Sequence, residues 1–118
     1  MTYAIQYTIS TLSGAYAQKY SVILYDAKRF EDLFEERAPG LKGLACEMEH
    51  GEFDAFETFQ KLMKLLKSIA KDKEKMAEFK DDLMNLLNLC EETMAKDARL
   101  IGHTVPNDTP APAPLFQL

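Results

Sequence analysis

From Asp54 to Ala98 the chain runs without a glycine or a proline, and this stretch constrains everything around it. At about 100° per residue, Phe56, Phe59, Leu62, Met63, Leu66, Ile69 and Ala70 share one broad face. Met76, Phe79, Leu83, Leu86, Leu87, Cys90 and Met94 do the same further along. Asp54-Ala55-Phe56-Glu57 has capping-box spacing, with Asp in place of the usual Ser or Thr. Asp72 is placed to cap a second helix. The heptad phase through Leu62, Leu66, Ile69, Met76, Leu83, Leu87, Cys90 and Met94 is also compatible with one unbroken helix. Such a helix would be about 67 Å long and would need a coiled-coil partner to cover it. The base rate of helix lengths favours two helices, at about residues 54–71 and 73–98, folded into a hairpin.

The remaining segments look sized to cover two apolar helix faces. Tyr3, Ile5, Tyr7 and Ile9 alternate with polar or small residues, and so do Tyr16, Tyr20, Val22 and Leu24. Ser13-Gly14 lies between the runs, and Gly supplies the positive φ of a tight turn. A two-residue turn there predicts a hairpin over residues 2–25, pairing Tyr7 with Tyr20, Ile5 with Val22 and Tyr3 with Leu24. Asp26 is positioned to cap a helix over 27–38, with Phe30, Leu33, Phe34 and Ala38 buried. Pro39-Gly40 ends it. Leu41, Leu44, Ala45 and Met48 predict a short helix over 41–50 with Gly51 at its C-terminal cap. Leu100–Val105 reads as a short third strand. From Pro106 the sequence turns to Pro, Ala and small polar residues and ends in Leu115-Phe116-Gln117-Leu118. The expected architecture is α+β: an N-terminal antiparallel β-hairpin packed on an antiparallel helical bundle, as one domain over 1–105. A disordered or extended tail over 106–118 follows it.

Length and composition narrow the class of function. The 118 residues carry a net charge of −5, which argues against nonspecific DNA binding by the whole surface. Two cysteines, Cys46 and Cys90, are too few for a disulfide framework. No basic leader precedes a long apolar run, and no apolar run approaches the ~20 residues that span a bilayer. A cytoplasmic protein that does not enter membranes is expected.

Catalytic signatures are absent: there is no Walker loop, GxGxxG, GxSxG or HExxH. No catalytic residue and no cofactor is assigned, and the chain is expected not to be an enzyme. A small enzyme without a recognisable motif is the third reading. Cys46 and His50 have i, i+4 spacing, and Cys90 and His103 would complete a four-ligand set. That set matches no usual zinc spacing, and Cys90 already lies on an apolar helix face, so no metal site is assigned.

Charge is the more informative signal. Residues 31–57 hold nine acidic against two basic residues, a net of −7. Residues 58–80 hold seven lysines against three acids, a net of +4. The first segment predicts an acidic helical surface, carried by Glu31, Asp32, Glu35, Glu36, Glu47, Glu49 and Glu52, that steers a basic protein partner. A nucleic-acid mimic is one sharp version of such an adaptor or inhibitor. Leu115, Phe116 and Leu118, on a semi-rigid tether, add a candidate docking peptide. Open strand edges and wide apolar faces point to a homodimer. The runner-up sets the lysine-rich helix face against nucleic acid. Phe56 and Phe59, assigned to the buried side, leave that face without stacking aromatics.

Overall fold

The computed structural model describes residues 3–10, 21–37 and 50–111. In chain order these form strands β1 (Tyr3–Ser10) and β2 (Ser21–Leu24), helix α1 (Ala27–Arg37) and strand β3 (His50–Phe53). Helices α2 (Ala55–Ile69) and α3 (Lys73–Ala95) and strand β4 (Arg99–Pro106) follow. The fold is α+β. One antiparallel sheet, in the order β2-β1-β4-β3, carries the helices on one face. Ile5, Tyr7 and Ile9 of β1, Val22 and Leu24 of β2, and Leu100 of β4 form the sheet's side of the core. The helices contribute Phe30, Phe34, Leu62, Leu65, Ile69, Leu83, Leu89 and Cys90, among others.

The β1–β2 pairing is antiparallel, but its register differs from the expected one by two residues. Ile5 pairs with Leu24 and Tyr7 with Val22. A slip of two leaves every side chain on the same face, so hydrophobic alternation cannot distinguish the two registers. Only the turn would choose between them, and residues 11–20, including Ser13, Gly14 and Tyr20, lie outside the described residues. β4 extends the expected third strand by one residue at each end and pairs with β1 along its whole length, from Tyr3↔Pro106 to Ser10↔Arg99. Strand β3 was not expected. The spacing predicts a helix end at His50 with its cap at Gly51, whereas the backbone pairs there with β4, Gly51 opposite Gly102. His-Gly-Glu-Phe carries too little apolar periodicity to announce a strand, and this one exists through its neighbour. The rest of the expected 41–50 helix lies outside the described residues, as does Ala38.

The helix layer contains a broken rather than a continuous long helix. Asp72 accepts the backbone N–H of Lys75 at 3.2 Å, and its own N–H donates to the Ile69 carbonyl at 2.9 Å, turning the chain between α2 and α3. Asp54 caps α2 in the same way, accepting from Glu57 at 2.9 Å. A helix of about 67 Å would exceed the molecule's longest dimension of 40 Å. The buried stripe of α2 is rotated from the expected face, running through Ala55, Thr58, Leu62, Leu65 and Ile69. Phe59, Met63 and Leu66 are only half-buried, and Phe56 is 57% exposed. Apolar residues occupy more of this helix than its neighbours can cover, so the wheel's centre of mass misplaces the stripe. On α3, Phe79, Leu83, Leu86, Leu87 and Cys90 are buried as expected, with Leu89 and Thr93 in addition, while Met94 is exposed. The buried Thr93 hydroxyl is satisfied by the Leu89 carbonyl at 2.6 Å.

Two arginines of α1 lock this layer. The Arg29 guanidinium lies 4.7 Å from the Phe30 ring centroid and 5.4 Å from that of Phe79, and pairs with Glu78 and Asp82 of α3. Phe30 and Phe79 meet edge-to-face at 5.0 Å. Arg37 donates to the Ser68 carbonyl at 3.1 Å and to Asp72 at 3.3 Å, fastening the end of α1 to the α2–α3 turn.

Candidate functional site

The apolar stripe of α1 (Ala27, Phe30, Leu33, Phe34) is fixed against the core, which leaves Asp32, Glu35 and Glu36 exposed on its outer side. Much of this acidity is engaged locally. Asp32 pairs with Lys28 at 3.5 Å, and Glu36 lies 3.4 Å from both Arg37 and Lys75. Glu31 accepts the Tyr3 hydroxyl at 3.2 Å. Glu35 alone of the four has no ion-pair or hydrogen-bond partner among the described residues. Exposed pairs of this kind contribute about 0.2–1 kcal/mol each, so an incoming cation can displace them.

The other acidic candidates do not join this surface. Glu52 stands opposite Ile101 on β3, at a register position on the sheet face turned away from the helices. Asp54 is consumed as a cap and Glu57 pairs with Lys61 at 3.0 Å. Glu47 and Glu49, and the apolar Leu115, Phe116 and Leu118, lie outside the described residues.

A second surface lies on α2. Phe56, Gln60, Lys64 and Lys67 are all exposed and fall within about 80° of one another on the helix, and exposed Lys71 follows in the turn. No carboxylate among the described residues pairs with Lys64, Lys67 or Lys71. The expectation that Phe56 is buried, leaving the lysine face without an aromatic, is therefore corrected. The buried stripe of α2 begins in the same turn with Ala55 and Thr58, and Phe56 lies on the opposite side of the helix.

Cys90 and His103, two members of the Cys/His set weighed and set aside from the sequence, lie on opposite sides of the sheet. That thiol is fully buried on the helix side of the sheet, and burial, with a smaller contribution from Glu91, pushes its pKa up to about 12. His103 lies on the opposite sheet face, and Cys46 is outside the described residues. Among the described residues no group of three or more His, Cys, Asp or Glu is arranged to hold a metal ion. No helix among them is long and apolar enough to cross a membrane.

The first part of the expected tail is folded in. Asn107 Oδ1 accepts the Asp26 backbone N–H at 2.6 Å, and the Thr109 carbonyl accepts the Tyr25 hydroxyl at 2.6 Å. Proline-rich composition concealed these two anchoring polar residues. Searches for similar proteins returned no matching family model, curated protein or solved structure.

Proposed function

We propose that this chain is a non-enzymatic protein-binding module, an adaptor or inhibitor, that engages a partner with a basic surface through the outer face of α1. The observation that carries the reading is the row of exposed carboxylates Asp32, Glu35 and Glu36 on a helix whose opposite side is locked into the core. Charges fixed on a rigid element steer association and set register at low cost in ordering. Spaced carboxylates of this kind also suit a nucleic-acid mimic. The setting we propose is cytoplasmic, in keeping with a buried, unpaired Cys90. Homodimer formation, through the edge strands β2 and β3 or the exposed Phe56, Met84 and Met94, belongs to the same proposal. The test is capture of a partner from lysate of the source cell, followed by Asp32→Lys and Glu35→Lys together. Loss of capture with an unchanged melting temperature supports the acidic face. Full capture by the double variant at moderate salt overturns it.

A second reading is favoured by one observation, the exposed Phe56 in line with Lys64 and Lys67. An aromatic beside a run of lysines suits single-stranded nucleic acid, with one base stacked and the backbone tracked by charge. A gel shift across a salt series decides it. Binding that falls steeply with salt and weakens in Phe56→Ala supports this reading, and no shift at low salt removes it.

A further inference from the structure

Helix α2 carries more apolar surface than the fold covers. Beside its buried stripe runs a second one: Phe56, Phe59, Met63, Leu66 and, at the C-terminal cap, Ala70. These positions step by three and four residues and fall within about 80° of one another on the helix. Phe56 is 57% exposed and Ala70 is exposed, while Phe59, Met63 and Leu66 are half-buried against the core. The stripe is about 21 Å long, enough for the i, i+3, i+4 and i+7 anchors of an amphipathic helix. Lys67 borders it, Lys64 lies next round the helix and Lys71 follows in the turn, all three exposed. Among the described residues no carboxylate pairs with any of them. We propose that this flank of α2 is a docking surface for a partner's amphipathic helix whose apolar stripe is bordered by carboxylates. The apolar row supplies the burial, and the lysines set the orientation and register of the incoming helix. Two other occupants fit less well. Nucleic acid would use Phe56 and the lysines but leave Phe59, Met63 and Leu66 uncovered, since phosphates offer apolar side chains nothing. A second copy of α2 brings lysines to lysines; its Glu57 lies round the far side, paired with Lys61. The acidic α1 of a second copy has its own apolar stripe in the core. Self-association is thus left to the strand edges and to the exposed Met84 and Met94. The docking surface is independent of the acidic face of α1.

The test is fluorescence anisotropy of labelled helical peptides, each about 15 residues long, titrated with the full chain. The first has leucines at i, i+3, i+4 and i+7 spacing bordered by glutamates. The second has lysines for the glutamates, and the third has serines for the leucines. The glutamate peptide should bind saturably, and the other two should bind about tenfold or more weakly than it. Phe56→Ser should weaken the glutamate peptide by about tenfold, and melting curves confirm that the variant is folded. Lys64→Glu together with Lys67→Glu should reverse the preference, so that the lysine peptide binds better than the glutamate one. Equal binding of the two charged peptides, wild-type affinity in Phe56→Ser, or no saturable binding would overturn the proposal. So would an oligo(dT) strand that binds more tightly than the glutamate peptide and displaces it, which gives the stripe to nucleic acid. Self-association in sedimentation that is lost in Phe56→Ser would give the stripe to a second copy and overturn the proposal equally.

Discussion

Asn107 Oδ1 sits 2.6 Å from the backbone nitrogen of Asp26, a residue with φ of 48° at the corner between β2 and α1. Left-handed backbone costs a non-glycine residue about 1–2 kcal/mol, and this N–H has no neighbouring strand or helix turn to take it. Asn107 supplies the acceptor from beyond the last strand. Asn107→Ala should therefore destabilise the fold by about 1–3 kcal/mol, read as a lower urea midpoint at unchanged slope. A chain ended after Pro106 should lose at least as much, because it also forfeits the Tyr25–Thr109 bond. A midpoint equal to wild type in both would show that the corner holds itself.

Burial separates residues that the helical wheel groups together. Leu83 is fully buried and Leu83→Ala should cost about 2–5 kcal/mol. Leu66, expected to match it, is only half-buried and should cost clearly less. Phe56→Ser should change stability by no more than about 0.5 kcal/mol, since its ring is mostly in water. Urea denaturation of the three variants gives the order directly.

Asp72 has two tasks, one for each oxygen: Oδ1 caps α3 through the Lys75 N–H, and Oδ2 receives Arg37 from α1. Asp72→Ala should cost about 1–2 kcal/mol. A double-mutant cycle with Arg37→Ala should return a favourable coupling, because the two groups share one contact. Strict additivity would reduce Asp72 to a local cap.

Asp82 titrates above the usual carboxylate value of 3.8, chiefly because burial disfavours its charge; Arg29 pulls it down and Asp81 adds to the rise. Its folded-state pKa is higher than its unfolded one. Its contribution to stability is thus fully present below the unfolded pKa and lost as pH rises through the folded value. The stability of the wild type relative to Asp82→Asn should fall as the pH rises from below 3.8 through the raised folded-state value. Melting temperatures of the two proteins across that range check the sign, and a difference that grows with pH would reverse the assignment.

What the residues announce depends on whether their partners are local. Asp54 and Asp72 cap helices through backbone groups three residues away, so both helix starts were legible. The faces of β1 and β2 followed from alternation, while their register did not, because Ile5 is equally well buried opposite Val22 or Leu24. Strand β3 depends on β4, and no pattern within His50–Phe53 encodes that. The acidic row of α1 was visible in the sequence. The separation of Glu52 from it, the exposure of Phe56 and the backbone pairing of β3 with β4 are all set by tertiary packing.

The pairing of β1 with β4 also governs the order in which the molecule can be completed. These strands are the centre of the sheet, yet one is the first and the other the last element of the described chain. During synthesis β1 can meet β2 early, but its other edge stays open until every helix has been made. Non-local pairing of this kind slows folding and leaves unpaired strand edges available to other chains in the meantime. The hairpin of α2 and α3, built from local contacts, is the element suited to form first and hold β4 within reach.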